Sequence, residues 1–209
     1  MTSGGHVLSV NTGRIRMLRD FPDVATAIDK RPVGDAVFVG ELGVDGDEQA
    51  DSNHGGVFQA VYAYAVEDLN FFAAELGRRL HPGQFGENLT TNGVDVSGAR
   101  IGERWSIGSV VLEVTKPRIP CRTFQIWLDE PRWVARFTDY GRPGAYLRVV
   151  RTGWLQAGDP IRIERPDHEW TIARVFRALT TDRALLPDLA ADPAVPEQLR
   201  TAAAARLAE

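Results

Sequence analysis

Trp105-Ser106-Ile107-Gly108-Ser109-Val110-Val111-Leu112-Glu113-Val114 reads as two short strands punctuated by glycine. β-Branched and aromatic residues crowd the stretch, and Gly102 and Gly108 interrupt the chain on either side of its first half. The same pattern recurs outward in both directions. Val7-Leu8-Ser9-Val10, Ala36-Val37-Phe38-Val39 and Ala60-Val61-Tyr62-Ala63-Tyr64 precede it; Ala145-Tyr146-Leu147-Arg148-Val149-Val150 and Ile161-Arg162-Ile163 follow it. Many short strands with glycine turns predict a mainly β fold, a barrel or a folded antiparallel sheet. Helical spacing appears twice between them. Leu69, Phe72, Ala73 and Leu76 place a helix over 67–80, and a second covers 124–137 with a break near Pro131.

The end of the chain changes character. From His168 onward glycine nearly vanishes and alanine, leucine and arginine take over. Ile172, Val175, Phe176 and Leu179 lie on one helical face, a short helix is expected over 183–189, and Pro196 stands at the start of a helix over 197–207. Helices this short need packing partners. The reading is therefore a β domain over 1–166 and a three-helix segment over 167–209, whose expected role is packing or dimerisation.

Composition bounds the rest. The chain has 209 residues, 44% hydrophobic and 25% charged, as in a globular protein with a substantial core. A net charge of −4 gives no electrostatic case for binding nucleic acid. No run approaches the roughly 18 apolar residues of a membrane span, and the first residues lack the layout of a signal peptide. A single cysteine cannot form an internal disulfide, which points to a reducing, cytoplasmic setting.

That cysteine, Cys121, lies in Lys116-Pro117-Arg118-Ile119-Pro120-Cys121-Arg122. Cations favour thiolate, the form that binds metals and attacks electrophiles; a buried thiol acting as a small hydrophobe is the plain alternative. Three glycine loops accompany it. Asn53-His54-Gly55-Gly56 could bring backbone N–H groups to an anion. Gly83-Gln84-Phe85-Gly86-Glu87-Asn88-Leu89-Thr90-Thr91 offers paired donors and acceptors for a polar heterocycle. Gly141-Arg142-Pro143-Gly144 precedes the strand of Arg148, and these arginines suit a phosphate. Each has an ordinary reading as turn, capping or surface chemistry. There is no P-loop, dinucleotide fingerprint or zinc spacing.

Taken in order, Asp47-Glu48-Gln49-Ala50-Asp51, Asn53-His54-Gly55-Gly56, Phe85-Gly86-Glu87-Asn88-Leu89, Pro117-Arg118-Ile119-Pro120-Cys121 and Gly141-Arg142-Pro143-Gly144 resemble the MOSC domain family. The helices at the end make the chain similar to its YiiM-type subgroup. The resemblance implies a β-barrel-like fold that holds a molybdenum cofactor of the molybdopterin type. It implies Cys121 as the molybdenum ligand and His54 as a second catalytic group. Gly55, Gly56, Phe85, Gly86, Glu87, Asn88, Arg118, Arg142 and Arg148 are then the cofactor-binding residues. The implied activity is reduction of N-hydroxylated compounds, purine bases and hydroxylamines among them. Sulfur carriage on a Cys121 persulfide and non-catalytic cofactor binding are the alternatives. The chain holds no ligand set for haem or an iron–sulfur cluster, so electrons are expected from a separate reductase protein; a homodimer is left open. One departure stands out: Phe58 occupies a position where relatives carry aspartate.

Overall fold

A computed structural model describes residues 2–18, 21–50 and 55–208. Thirteen strands occur among them in chain order: β1 (Thr2–Thr12), β2 (Arg16–Leu18), β3 (Phe21–Thr26), β4 (Arg31–Pro32), β5 (Val37–Gly40), β6 (Gly43–Val44), β7 (Val61–Ala65), β8 (Leu89–Asn92), β9 (Arg104–Ile107), β10 (Val110–Pro117), β11 (Ala145–Arg151), β12 (Gly153–Leu155) and β13 (Pro160–Glu164). The helices are α1 (Val66–Glu75), α2 (Arg122–Leu128), α3 (Trp133–Tyr140), α4 (Ile172–Thr180), α5 (Leu186–Ala191) and α6 (Glu197–Leu207).

Seven strands close a barrel. Their order is β13-β9-β10-β11-β7-β8-β1, and β1 pairs back onto β13. All neighbours run antiparallel except β7 and β8, which α1 connects as a crossover. Closure leaves these strands without free edges. A small β12-β5-β6 sheet and the β2–β3 hairpin lie outside the barrel. The architecture is a mostly β, MOSC-like barrel with helices at its end, as expected. β5, β7, β9, β10, β11 and β13 begin and end within three residues of the sequence reading, and Val7–Val10 lies within an eleven-residue strand; the short strands β2, β3, β4, β6 and β12 were not anticipated.

β7 shows why the core divides. All five of its residues are buried. Side chains alternate across a strand, so Val61, Ala63 and Ala65 enter the barrel interior while Tyr62 and Tyr64 point the other way. The barrel core is mainly aliphatic, with Val10, Leu89, Ile107, Leu112 and Leu147 among its fully or almost fully buried residues and Trp105 its largest side chain. Tyr62 and Tyr64 instead join Phe72, Phe85, Phe124, Trp133 and Phe137 in an aromatic cluster beneath α1, α2 and α3. Gly144, with φ +72°, lets β11 come close to β7; a Cβ there would meet the Ala63 carbonyl oxygen at 2.6 Å.

The helices needed corrections. The first stops at Glu75 rather than 80, because Gly77 takes φ +62° and its N–H and that of Arg78 bond back to Ala74 and Ala73. The second breaks at Pro131 as expected, into α2 and α3, with left-handed Asp129 and Arg132 on either side of Glu130-Pro131. Leu89–Asn92, read as part of a loop, is barrel strand β8. At the end, α6 spans the expected residues. α4 is capped by Thr171, whose hydroxyl accepts from Arg174 N. Val175, Leu186, Leu189 and Leu199 belong to the same core cluster as the barrel interior, so tail and barrel share one continuous core.

Candidate cofactor site

A cavity of about 140 Å³ opens outside the barrel wall, above the aromatic cluster. Tyr62 of β7 and Tyr146 of β11 form its wall, with rings 5.2 Å apart. Burial pushes both phenols up in pKa, opposed in part by the Arg118 charge, so both stay protonated near neutrality. The Tyr62 hydroxyl donates to the Pro143 carbonyl at 2.8 Å.

Cys121 lines this cavity as the residue immediately before α2, in an extended conformation, half-buried against the aromatic cluster. Arg118 lies three residues earlier and also lines it. Its guanidinium stacks 3.7 Å over the Phe124 ring, with Tyr62 and Phe137 at 5.5 and 5.8 Å. The residue is 7% exposed, and no carboxylate pairs with it among the described residues. Its Nη1 is buried without a hydrogen-bond partner. Ring faces offset part of the cost of burying a cation, but an unsatisfied buried N–H still costs about 1–3 kcal/mol. An acceptor on a bound ligand would remove that cost.

A buried charge pair completes the rim. Lys30 Nζ bonds both carboxylate oxygens of Asp47, and both side chains are almost fully enclosed. Burial lowers the lysine pKa, with Asp47 pulling the other way. Asp47 is fixed by Gly13 N and by Asn88 Nδ2, each at 2.8 Å. Asn88 Oδ1 in turn accepts from Tyr62 N at 3.1 Å. The amide thus locks the rim to the barrel rather than offering itself to a ligand.

Glu87 works in the same way from below. It is fully buried and accepts from Gly83 N at 2.7 Å, Thr90 Oγ1 at 2.8 Å and Phe85 N at 3.0 Å. Burial raises its pKa against these hydrogen bonds. It does not line the cavity; it folds the loop so that Phe85 and Gly86 do. Gly86 has φ +81°, and a Cβ there would press on Ile28 at 3.1 Å.

The expected residues therefore separate. Cys121, Arg118, Gly55, Phe85, Gly86 and Asn88 share the cavity lining. Gly56 is exposed beside it, and His54 lies outside the described residues. Arg142 and Arg148 do not line the cavity, contrary to expectation. Arg142 is held by Asp68 and Asp95, both at 2.6 Å. Arg148 pairs with Glu113 at 2.8 Å on the barrel's outer face. Lys30, Tyr62, Tyr146 and Gln59 line the cavity and were not singled out. The tyrosines were hidden in apolar strand signals, and nothing local marks Lys30.

A model of the MOSC domain family matches residues 50–162. The chain belongs to the MOSC domain family. A Bacillus subtilis (strain 168) protein named uncharacterized protein YflK is 35% identical over 154 residues, 73% of this chain and 70% of that one. A Gibberella moniliformis protein named reductase is 34% identical over 180 residues; these are 84% of this chain but 32% of the relative, so this chain spans about a third of it. YiiM from Geobacillus stearothermophilus has the same fold, with a TM-score of 0.78 and 26% identity over 97% of this chain and 98% of that one. The match to YiiM therefore includes the helical tail.

The residues present fit a sulfur-ligated, anionic group. Among the described residues, no cluster of three His, Cys, Asp or Glu could hold a metal ion alone. A metal bound at Cys121 would need to bring further ligands with it, as a pterin dithiolene does. The orphaned Arg118 N–H meets the anionic requirement.

Proposed function

We propose that this MOSC protein holds a molybdenum cofactor in the Cys121 cavity and reduces N-hydroxylated compounds. The observation that carries the reading is that one thiol and one buried guanidinium with an unpartnered Nη1 line the same cavity. Cys121 would ligate the metal, and Arg118 would bind an anionic oxygen of the cofactor. Gly86 and Gly55 would let the backbone approach it. When bound, the cofactor supplies two-electron chemistry that removes the oxygen of an N–OH group. The balance is R₂N–OH + 2 e⁻ + 2 H⁺ → R₂NH + H₂O, with electrons from a separate reductase protein. Tyr62 and Tyr146, kept protonated by burial, would orient polar groups at the wall without adding charge. The relative named reductase supports a reductive role.

Molybdenum per chain, measured on protein made in a cofactor-competent host, tests this. Near-stoichiometric metal is expected in the wild type and background metal in Cys121→Ser. Molybdenum absent from both, with a persulfide mass on Cys121, would replace this reading by sulfur carriage.

A further inference from the structure

A second cavity of about 390 Å³ lies between the barrel and α6. It falls within the range of small-molecule pockets, whereas the Cys121 cavity is smaller. The two share Gln59 and Tyr146 as walls, so they adjoin through a single layer of side chains.

A bulge in β10 makes the floor of this cleft. Val110, Leu112 and Val114 point into the barrel, so strict alternation would also send Lys116 inward. The register against β11 shifts between Val114 and Lys116. The extra residue turns Lys116 outward, onto the same side as Glu113. Cross-strand pairing then sets Arg148 opposite Glu113.

The charges in the cleft do not cancel. Glu113 is already bracketed by Arg148 at 2.8 Å and Arg104 at 3.1 Å. Lys116 is half-buried and makes no side-chain hydrogen bond or ion pair among the described residues. Burial alone lowers its pKa, as expected for an ammonium group without a counter-ion. Arg206 adds an exposed cation from α6. Flat apolar surface faces these charges: Phe58 is 41% exposed and Ile119 43% exposed, with Leu199 opposite. Phe58, the departure noted in the sequence, therefore borders this cleft and not the Cys121 cavity.

We propose that the cleft between barrel and tail is a second binding site, for a planar molecule bearing a phosphate, with Lys116 and Arg206 on the anion and Phe58 against the ring. The site stands or falls independently of the metal. Its use as a substrate lobe, taking an N-hydroxylated base as its nucleotide, rests on the proposed function.

Calorimetric titration of the full chain with adenosine 5′-monophosphate, adenosine and inorganic phosphate tests the site. Saturable binding of the monophosphate is expected, at least tenfold tighter than of either fragment. Lys116→Gln and, separately, Arg206→Gln on the exposed face of α6 should each weaken it about fivefold or more. Cys121→Ser, in the neighbouring cavity, should leave it unchanged. Absence of saturable binding overturns the proposal. Equal binding by the wild type and both folded variants does too. Phosphate alone binding as tightly as the nucleotide would overturn the planar part and leave an anion site. Loss of binding in Cys121→Ser would move the ligand to the other cavity. None of these outcomes bears on molybdenum content, so the two readings fail separately.

Discussion

The barrel interior and the aromatic cluster meet along β7, which sends Val61, Ala63 and Ala65 into the first and Tyr62 and Tyr64 into the second. Both are dry. The first is built mainly from aliphatic side chains, which offer a charge nothing but exclusion. The second presents ring faces, and Arg118 lies against them with its guanidinium 3.7 Å from Phe124. An aliphatic floor would leave that cation with neither solvent nor π density. The difference explains why the thiol and the buried cation stand outside the barrel rather than within it. The closed barrel supplies rigidity; the aromatic annex supplies a place where charge can be kept from water.

The comparison can be broken most forcefully from the barrel side. Leu112 is fully buried in the aliphatic core. Leu112→Ala should lower unfolding free energy by about 2–5 kcal/mol, through lost transfer energy and a residual cavity. Molybdenum per folded chain should stay at the wild-type value. Denaturant melts together with metal analysis of the folded fraction check both. If the folded variant cannot hold metal, the two cores are not separate in function.

Arg118→Met is the opposite case. It removes a buried cation while keeping much of the side-chain volume, and it eliminates the orphaned Nη1. Replacing a buried ion pair by apolar groups is often neutral or stabilising, by about 1–4 kcal/mol, and Arg118 has no carboxylate partner among the described residues whose attraction would be lost. Stability should therefore hold or rise while cofactor retention falls. A variant that melts earlier and still loads metal would show that Arg118 is a structural part of the cluster with no ligand to bind.

Legibility in the sequence followed the same division. The barrel strands announce themselves because burial of one face imposes alternation and glycine marks the turns; β9 could be bounded to within a residue, and the start of β10 likewise, while its end runs three residues further, to Pro117. β8 could not, because Thr90, Thr91 and Asn92 look like turn residues and become a strand only through pairing with β1 and β7. In the site, Cys121 and Arg118 were visible as a local motif. The destination of the other cations was not. Lys116, five residues from Cys121, is turned out of the barrel and into the neighbouring cleft by a bulge that has no local signature, and Arg142 is consumed by Asp68 and Asp95 from distant segments. Lys30 and Asp47 are seventeen residues apart and meet only in the fold.

Glu87 lies at the seam of the two cores, since it folds the loop that delivers Phe85 to the aromatic cluster and Leu89 to the barrel, both fully buried. Burial raises its folded-state pKa above the ordinary 4.5. The folded protein therefore holds this proton more tightly than the unfolded chain does. The resulting stabilisation is complete below pH 4.5 and is lost as pH rises through the folded value. Within that window the group should remove about 1.4 kcal/mol of stability for each pH unit. Glu87→Gln carries no titrating proton, so its urea midpoint should lack this fall, even though the amide lowers stability overall by meeting backbone N–H donors with its own NH₂ group. A wild type and variant with parallel midpoints from pH 4 upward would mean that the three hydrogen bonds hold Glu87 ionised. The seam would then carry a buried negative charge within the field of the Lys30 ammonium, held by hydrogen bonds and an opposite charge, whereas Arg118 is held against ring faces.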